Sequence, residues 1–174
     1  NGLASLVDLR MGNLWIPGPR AGNTKREGIT ALGEQDGLGL HSLALEPAGR
    51  LPHLLVECHC GGHRLTWVVD TGAEVTVMAS ESATRLGIPS VASRSKIIDA
   101  SGDRASVRSA VLHNLLFGQL LVHEFQVAVT PLGPIRETFR DRSGRPVDGI
   151  IGMDFLRESS ALLDTASQML YLGE

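Results

Sequence analysis

Aromatic residues are scarce in this chain: four Phe, two Trp and one Tyr among 174 residues. A core built from such a sequence must be filled by aliphatic side chains, and stacking platforms for nucleobases have little to draw on. Cysteine is scarcer still. Cys58 and Cys60 are the only two, which excludes a disulfide-stapled scaffold. At i, i+2 on a strand their side chains share one face, an awkward geometry for bonding each other, so two buried thiols are expected. His59 between them would point to the opposite face, and no second ligand cluster accompanies it, so neither a metal site nor a cofactor is expected. No apolar run approaches the roughly 18 residues needed to cross a bilayer, so no membrane span is expected in this segment. A strong excess of either charge is missing too. With a net charge of −3, a pI near 6.1 and scattered Lys and Arg, there is no basic stripe for nucleic acid to bind. The chain begins at Asn1 without a basic-then-apolar leader, so Asn1 is expected to be a processing boundary.

Gly is plentiful, at 20 residues, beside 8 Pro and 43% hydrophobic residues. Many short aliphatic strands joined by tight turns suit that composition, which predicts an all-β protein with one ordinary globular core.

One stretch carries chemistry. Leu65 to Val69 reads as a buried strand, and it runs directly into Asp70-Thr71-Gly72-Ala73. A carboxylate at the end of a buried strand faces a desolvation cost unless it is paired or hydrogen-bonded, so its placement there suggests a use. Gly72 permits a sharp turn and close backbone approach, and the Thr71 hydroxyl can bridge to a neighbouring backbone. An Asp-Thr-Gly taken alone is compatible with an ordinary turn. Its context adds Val75-Thr76-Val77-Met78, a short helix and Leu86-Gly87-Ile88-Pro89, and near the C-terminus Asp148-Gly149-Ile150-Ile151-Gly152-Met153-Asp154-Phe155-Leu156. Together and in this order these segments resemble the active-site loop and its supporting strand and helix in retropepsin-like aspartic proteases, over about 51 to 172.

The resemblance implies a protease lobe: a closed or partly open β-barrel of short strands with one or two short helices, at 51–174. It implies Asp70 as the catalytic acid, Thr71, Gly72 and Ala73 as the rest of the active-site loop, and Ile150, Ile151 and Gly152 as the support beneath it. It also implies that the polar tip Asp99-Ala100-Ser101-Gly102-Asp103, between strand-like flanks, is a flap over substrate. Peptide hydrolysis by paired carboxylates needs one acid ionised to take a proton from water and one protonated to polarise the carbonyl, because two neighbouring carboxylates cannot both ionise. This chain has a single Asp-Thr-Gly. The second acid is expected either from an identical protomer or from a preceding lobe of the same protein, with a peptide or protein as substrate. Ala73 brings no hydroxyl to the carboxylate, and Met153 stands where retroviral members often have an Arg that pairs with an acid near the motif, a place Glu74 could fill. A module that keeps the fold for binding or oligomerisation is the competing reading.

Two further features concern organisation. Ala161-Leu162-Leu163-Asp164 with Leu170-Tyr171-Leu172 has a counterpart in Ser5-Leu6-Val7-Asp8 with Leu14-Trp15-Ile16, so residues 1–17 read as the tail hairpin of a preceding lobe. Residues 18–50, rich in Gly, Pro and charge, read as a linker holding a short strand at Leu40 to Leu45. Ser80 is expected to cap a short helix ended by Gly87, and residues 130–147, with three Pro and four Arg, are expected to form a loop.

Overall fold

The computed structural model describes residues 6–8, 13–15, 40–98 and 104–173. Their elements run β1 (Leu6–Asp8), β2 (Asn13–Trp15), β3 (Leu40–Ala44), β4 (Glu46–Pro47), β5 (Leu54–Cys60), β6 (His63–Val69), β7 (Val77–Ala79) and α1 (Ser80–Arg85). They continue with β8 (Val91–Ile98), β9 (Arg104–Phe117), β10 (Leu120–Thr130), α2 (Gly133–Ser143), β11 (Gly149–Ile151), α3 (Met153–Glu158), β12 (Leu162–Asp164) and β13 (Met169–Gly173).

Strands β5, β6, β11, β7, β10 and β9 follow one another by hydrogen bonding, and His59 of β5 pairs with Leu116 of β9. That last pairing closes the sheet into a barrel, which removes the open edges a short-stranded sheet would otherwise expose. β4 and β8 continue from β5 and β9 outside the ring, and a second sheet runs β2-β1-β12-β13-β3. The fold is mostly β, as the composition predicts. β3 and β4 lie within the span read as a linker, and they pair with β13 and β5 respectively.

The strand periodicity explains the core. Val56, Cys58 and Cys60 of β5 face inward together with Leu65, Trp67 and Val69 of β6, while Leu55 and Val68 face the other way. β6 is therefore covered on both faces, and a continuous apolar run is what such a strand requires. The outer face is covered by α2, whose Phe139 packs with Ala48, Leu55, Val68 and Val147. Inside, Phe155 of α3 lies 5.1 Å from both Phe117 and Phe125. Leu163, Leu170 and Leu172 of the second sheet join the same core. Tight turns set the registers: Gly61 and Gly62 both have positive φ, at 55° and 80°, in the two-residue loop between β5 and β6, which a type I′ hairpin demands.

Three expectations need correction. Residues 133–143 form a helix, not a loop, so the short helices number three among the described residues. Pro134 sits in the first turn, where the missing N–H costs nothing, and Gly144 ends the helix in the left-handed region at φ 82°, its N–H donating to the Arg140 carbonyl. Pro and Gly here mark the two ends of a helix rather than interrupt one. Ser80 does not cap α1 but opens it. The cap position belongs to Ala79, which is still extended because its N–H donates to the Asp148 carbonyl at 2.8 Å. Lastly, 104–117 is one continuous strand, whereas the sequence reads as two, Ala105 to Arg108 and Val111 to Leu116.

Gly149 marks the tightest crossing in the barrel. A Cβ there would lie 2.3 Å from a Trp67 ring carbon and 2.4 Å from the Val77 carbonyl oxygen. Trp67 is itself fully buried and cannot retreat. Gly149→Ala is expected to destabilise the fold by about 3 kcal/mol, the upper end of ordinary overpacking, read as a shift in the urea unfolding midpoint. A shift below about 0.5 kcal/mol would show that this crossing relaxes freely.

Candidate active site

Asp70 is the first residue beyond β6, and β11 runs parallel to β6 with Ile151 opposite Val69. That register brings the Ile151 carbonyl to the Asp70 N–H, at 3.0 Å. The chain then turns: the Ala73 N–H donates to the Asp70 carbonyl at 3.2 Å, and the Gly72 N–H donates to Asp70 Oδ1 at 2.8 Å. The carboxylate of Asp70 is thus half-buried and held by a backbone donor, while Thr71 and Gly72 are exposed.

Below the turn, the Ala73 carbonyl accepts from the Met153 N–H at 2.8 Å and the Glu74 carbonyl from the Asp154 N–H at 3.3 Å. Gly152 lies so close that a Cβ would come within 2.6 Å of Val75 C and 2.9 Å of the Ala73 carbonyl oxygen. Ile151 is buried in the barrel core, and Ile150 packs on the outer cluster beneath α2. The structure therefore gathers Asp70, Thr71, Gly72, Ala73, Ile151 and Gly152 into one place, with Ile150 on the far face of the same strand. The segment 99–103 lies outside the described residues. Its flanks do pair as a hairpin, Ile98 opposite Arg104 and Ile97 opposite Ala105.

Sequence reasoning missed what holds this loop in shape. Thr76, 2% exposed, donates its hydroxyl to Asp154 Oδ1 at 2.6 Å and its N–H to both carboxylate oxygens at 2.8 and 2.9 Å. The same hydroxyl accepts from the Gly152 N–H at 3.0 Å. Asp154 also takes the Phe155 N–H at 2.8 Å, at the start of α3 where a negative charge is favoured. Asp154 thus joins the loop to its support. Met153 packs on the core, and Glu74 is exposed. The available signal was an Asp directly after Gly-Met, in the first turn of a helix.

A second missed group is Asp148, which is 7% exposed. It accepts from the Thr66 N–H at 2.9 Å, Ser82 Oγ at 2.6 Å and Arg85 Nη2 at 2.8 Å, with Arg136 Nη1 at 3.7 Å. Arg136 in turn donates to Ser82 Oγ and the Val147 carbonyl, both at 2.6 Å. This hub ties α1 and α2 to the two strands that end at the acid loop.

The cysteines lie apart from this chemistry. Cys58 accepts from the Trp67 indole N–H at 3.2 Å, and burial pushes its thiol up to about 12, so it stays protonated at neutral pH. Cys60 donates to the His113 carbonyl at 3.5 Å, and burial raises its thiol as well. A cleft of about 490 Å³ opens beside the loop, lined by Val75, Val107, Arg108, Phe125, Asp154 and Glu158 among others, and Asp70 is not part of its lining.

A closed barrel presenting an Asp-Thr-Gly turn over a Gly-containing strand defines a retropepsin-like lobe. The profile of the aspartyl protease family matches residues 56–155, more than half of the chain, and the chain belongs to this family. It is similar to Protein DDI1 homolog 1 of Homo sapiens, 26% identical over 130 residues that cover 75% of this chain and 30% of that protein. Protein DDI1 homolog 2 of Mus musculus is 24% identical over 130 residues, covering 75% and 30%. The chain therefore spans under a third of the length of these curated relatives. Among solved structures, a retropepsin-like aspartic protease from Rickettsia conorii superposes with a TM-score of 0.54 at 19% identity, covering 78% of this chain and 90% of that one. At that identity the likeness speaks for the fold.

Proposed function

We propose that this chain is one lobe of an aspartic endopeptidase, in which Asp70 and a second Asp from a partner lobe activate a water against a peptide carbonyl. The observation that carries the reading is the Asp70 turn. Its carboxylate is fixed by the Gly72 N–H at the mouth of a retropepsin-like barrel, while Thr71 and Gly72 beside it remain exposed. A carboxylate at the end of a buried strand carries a desolvation cost that a hydrogen bond must offset, and this placement supports a use for it. Asp70 alternates between base and acid, taking a proton from the water and returning it to the leaving amine. Thr71 meets its equivalent across the lobe interface, Gly72 bonds substrate backbone, and substrate lies extended as an added strand.

The test is hydrolysis of a denatured protein mixture by the protein with its natural flanking sequence, with and without pepstatin. Cleavage blocked by one pepstatin for each pair of acid loops is expected. Protein that cleaves nothing and binds no pepstatin is a non-catalytic module, the competing reading.

Asp99 to Asp103 is assigned the part of the flap, since Ala100, Ser101 and Gly102 allow backbone change with little steric cost. Deleting Ser101 and Gly102 is expected to lower turnover by about a hundredfold through lost substrate positioning, with little change in thermal midpoint. Undiminished turnover would reduce this segment to a surface turn.

A further inference from the structure

The two hairpins of the second sheet are copies of each other in register. β1 pairs with β2 through Leu6 opposite Trp15, Val7 opposite Leu14 and Asp8 opposite Asn13. β12 pairs with β13 through Leu162 opposite Tyr171, Leu163 opposite Leu170 and Asp164 opposite Met169. One constant offset along the chain carries every pair of the first set onto a pair of the second. The sequence positions between the paired strands correspond as well. The Asp164 carboxylate accepts from the Ala166 N–H at 2.9 Å and from Ser167, opening its turn, and Asp8 stands at the same place in the first hairpin. Gln168 closes that turn with φ at 56°, and the residue at the equivalent sequence position is Gly12, the type that adopts this conformation at least cost.

The hairpins also meet symmetrically. β1 lies antiparallel to β12 with Val7 opposite Leu163, Leu6 opposite Asp164 and Asp8 opposite Leu162. Exchanging the two hairpins leaves this list unchanged, so a local twofold axis passes through the Val7–Leu163 pair. A twofold between equivalent hairpins is the relation that two copies of one lobe would have, and in a homodimer the place of β1–β2 would be taken by β12–β13 of the second copy. Here the chain fills that place itself. A tethered hairpin competes at an effective concentration of order millimolar, so a second copy of equal intrinsic affinity present well below that concentration cannot displace it.

Resting on the reading of Asp70 as half of a dyad, we propose that residues 6–15 are the closing hairpin of a second retropepsin-like lobe. That lobe lies N-terminal to this one on the same polypeptide and supplies the acid that partners Asp70. The symmetry adds one requirement. β13 is flanked on its outer side by β3, so β2 takes an equivalent strand from the upstream lobe.

The experiment has two arms. In the first, the double variant Val7→Cys with Leu163→Cys is oxidised at micromolar concentration and sedimented; the native cysteines are buried. An intrachain crosslink in a monomer is expected, whereas an interchain disulfide, or no crosslink, overturns the proposal. In the second, the natural full-length polypeptide is sedimented, and the acid of its upstream acid-hydroxyl-Gly turn is changed to Asn. A monomer that loses hydrolysis as completely as with Asp70→Asn is expected. The absence of such a turn upstream, or full activity from a tight homodimer of the present chain, overturns the proposal. An intrachain crosslink and an upstream lobe without any peptide hydrolysis would remove the protease reading, and the dyad with it, while leaving the hairpin assignment in place.

Discussion

Asp70→Asn is expected to abolish peptide hydrolysis, by on the order of 10⁴-fold or more, because removing one member of a cooperating catalytic pair costs nearly all of what the pair provides. The fold should survive. The side-chain contact recorded for Asp70 is an accepted hydrogen bond from the Gly72 N–H at 2.8 Å, and an Asn oxygen can accept it equally well. Cleavage of a denatured protein mixture and the thermal midpoint would be measured on both proteins with the natural flanking sequence. Equal cleavage rates would sink the assignment of Asp70, and a collapsed midpoint would show that the turn is structural first.

The largest effect on stability is expected at Asp148, away from the acid. Asp148→Ala leaves Arg136, whose side chain is 14% exposed, without its buried counter-charge and the Thr66 N–H without an acceptor. Breaking such a pair from one side costs about 3–5 kcal/mol, mostly through the stranded cation. Arg85, half exposed, adds little because water takes over its solvation. Asp148→Asn keeps the shape and most of the hydrogen bonds, so it should cost less than the Ala variant. Equilibrium urea unfolding decides this. A loss under about 1 kcal/mol for Asp148→Ala would mean that Ser82 and the Val147 carbonyl satisfy Arg136 without help.

What the sequence disclosed and what it hid divide along the distance over which each interaction acts. β5 and β6 are legible because inward residues alternate on β5, the run at 65–69 is apolar throughout, and a Gly-Gly turn separates the strands. The acid turn is legible because it follows immediately. Helix α2 was hidden by its own ends: Pro134 and Gly144 read as breakers, and its apolar stripe shrinks to Phe139 because Arg136 spends its length on Asp148. The brace between Thr76 and Asp154 has no local signature at all. It exists only once β11 lies beside β6 and β7, a parallel and an antiparallel pairing that no short-range pattern specifies.

That brace also fixes an order of events in time. Thr76 and Asp154 are 78 residues apart, and a ribosome adding roughly 5–20 residues per second needs on the order of 4–16 s to span them. During that interval Asp70 and its turn already exist as sequence, while the Ile151 carbonyl, the Gly152 N–H and the Asp154 carboxylate that shape them do not. The acid loop is accordingly among the later parts of the lobe to take form, and a nascent chain that has not passed Asp154 cannot carry it assembled. Any product that stops short of Asp154 keeps the acid and loses the scaffold, so an unfinished copy has no brace with which to hold Asp70 toward its neighbours.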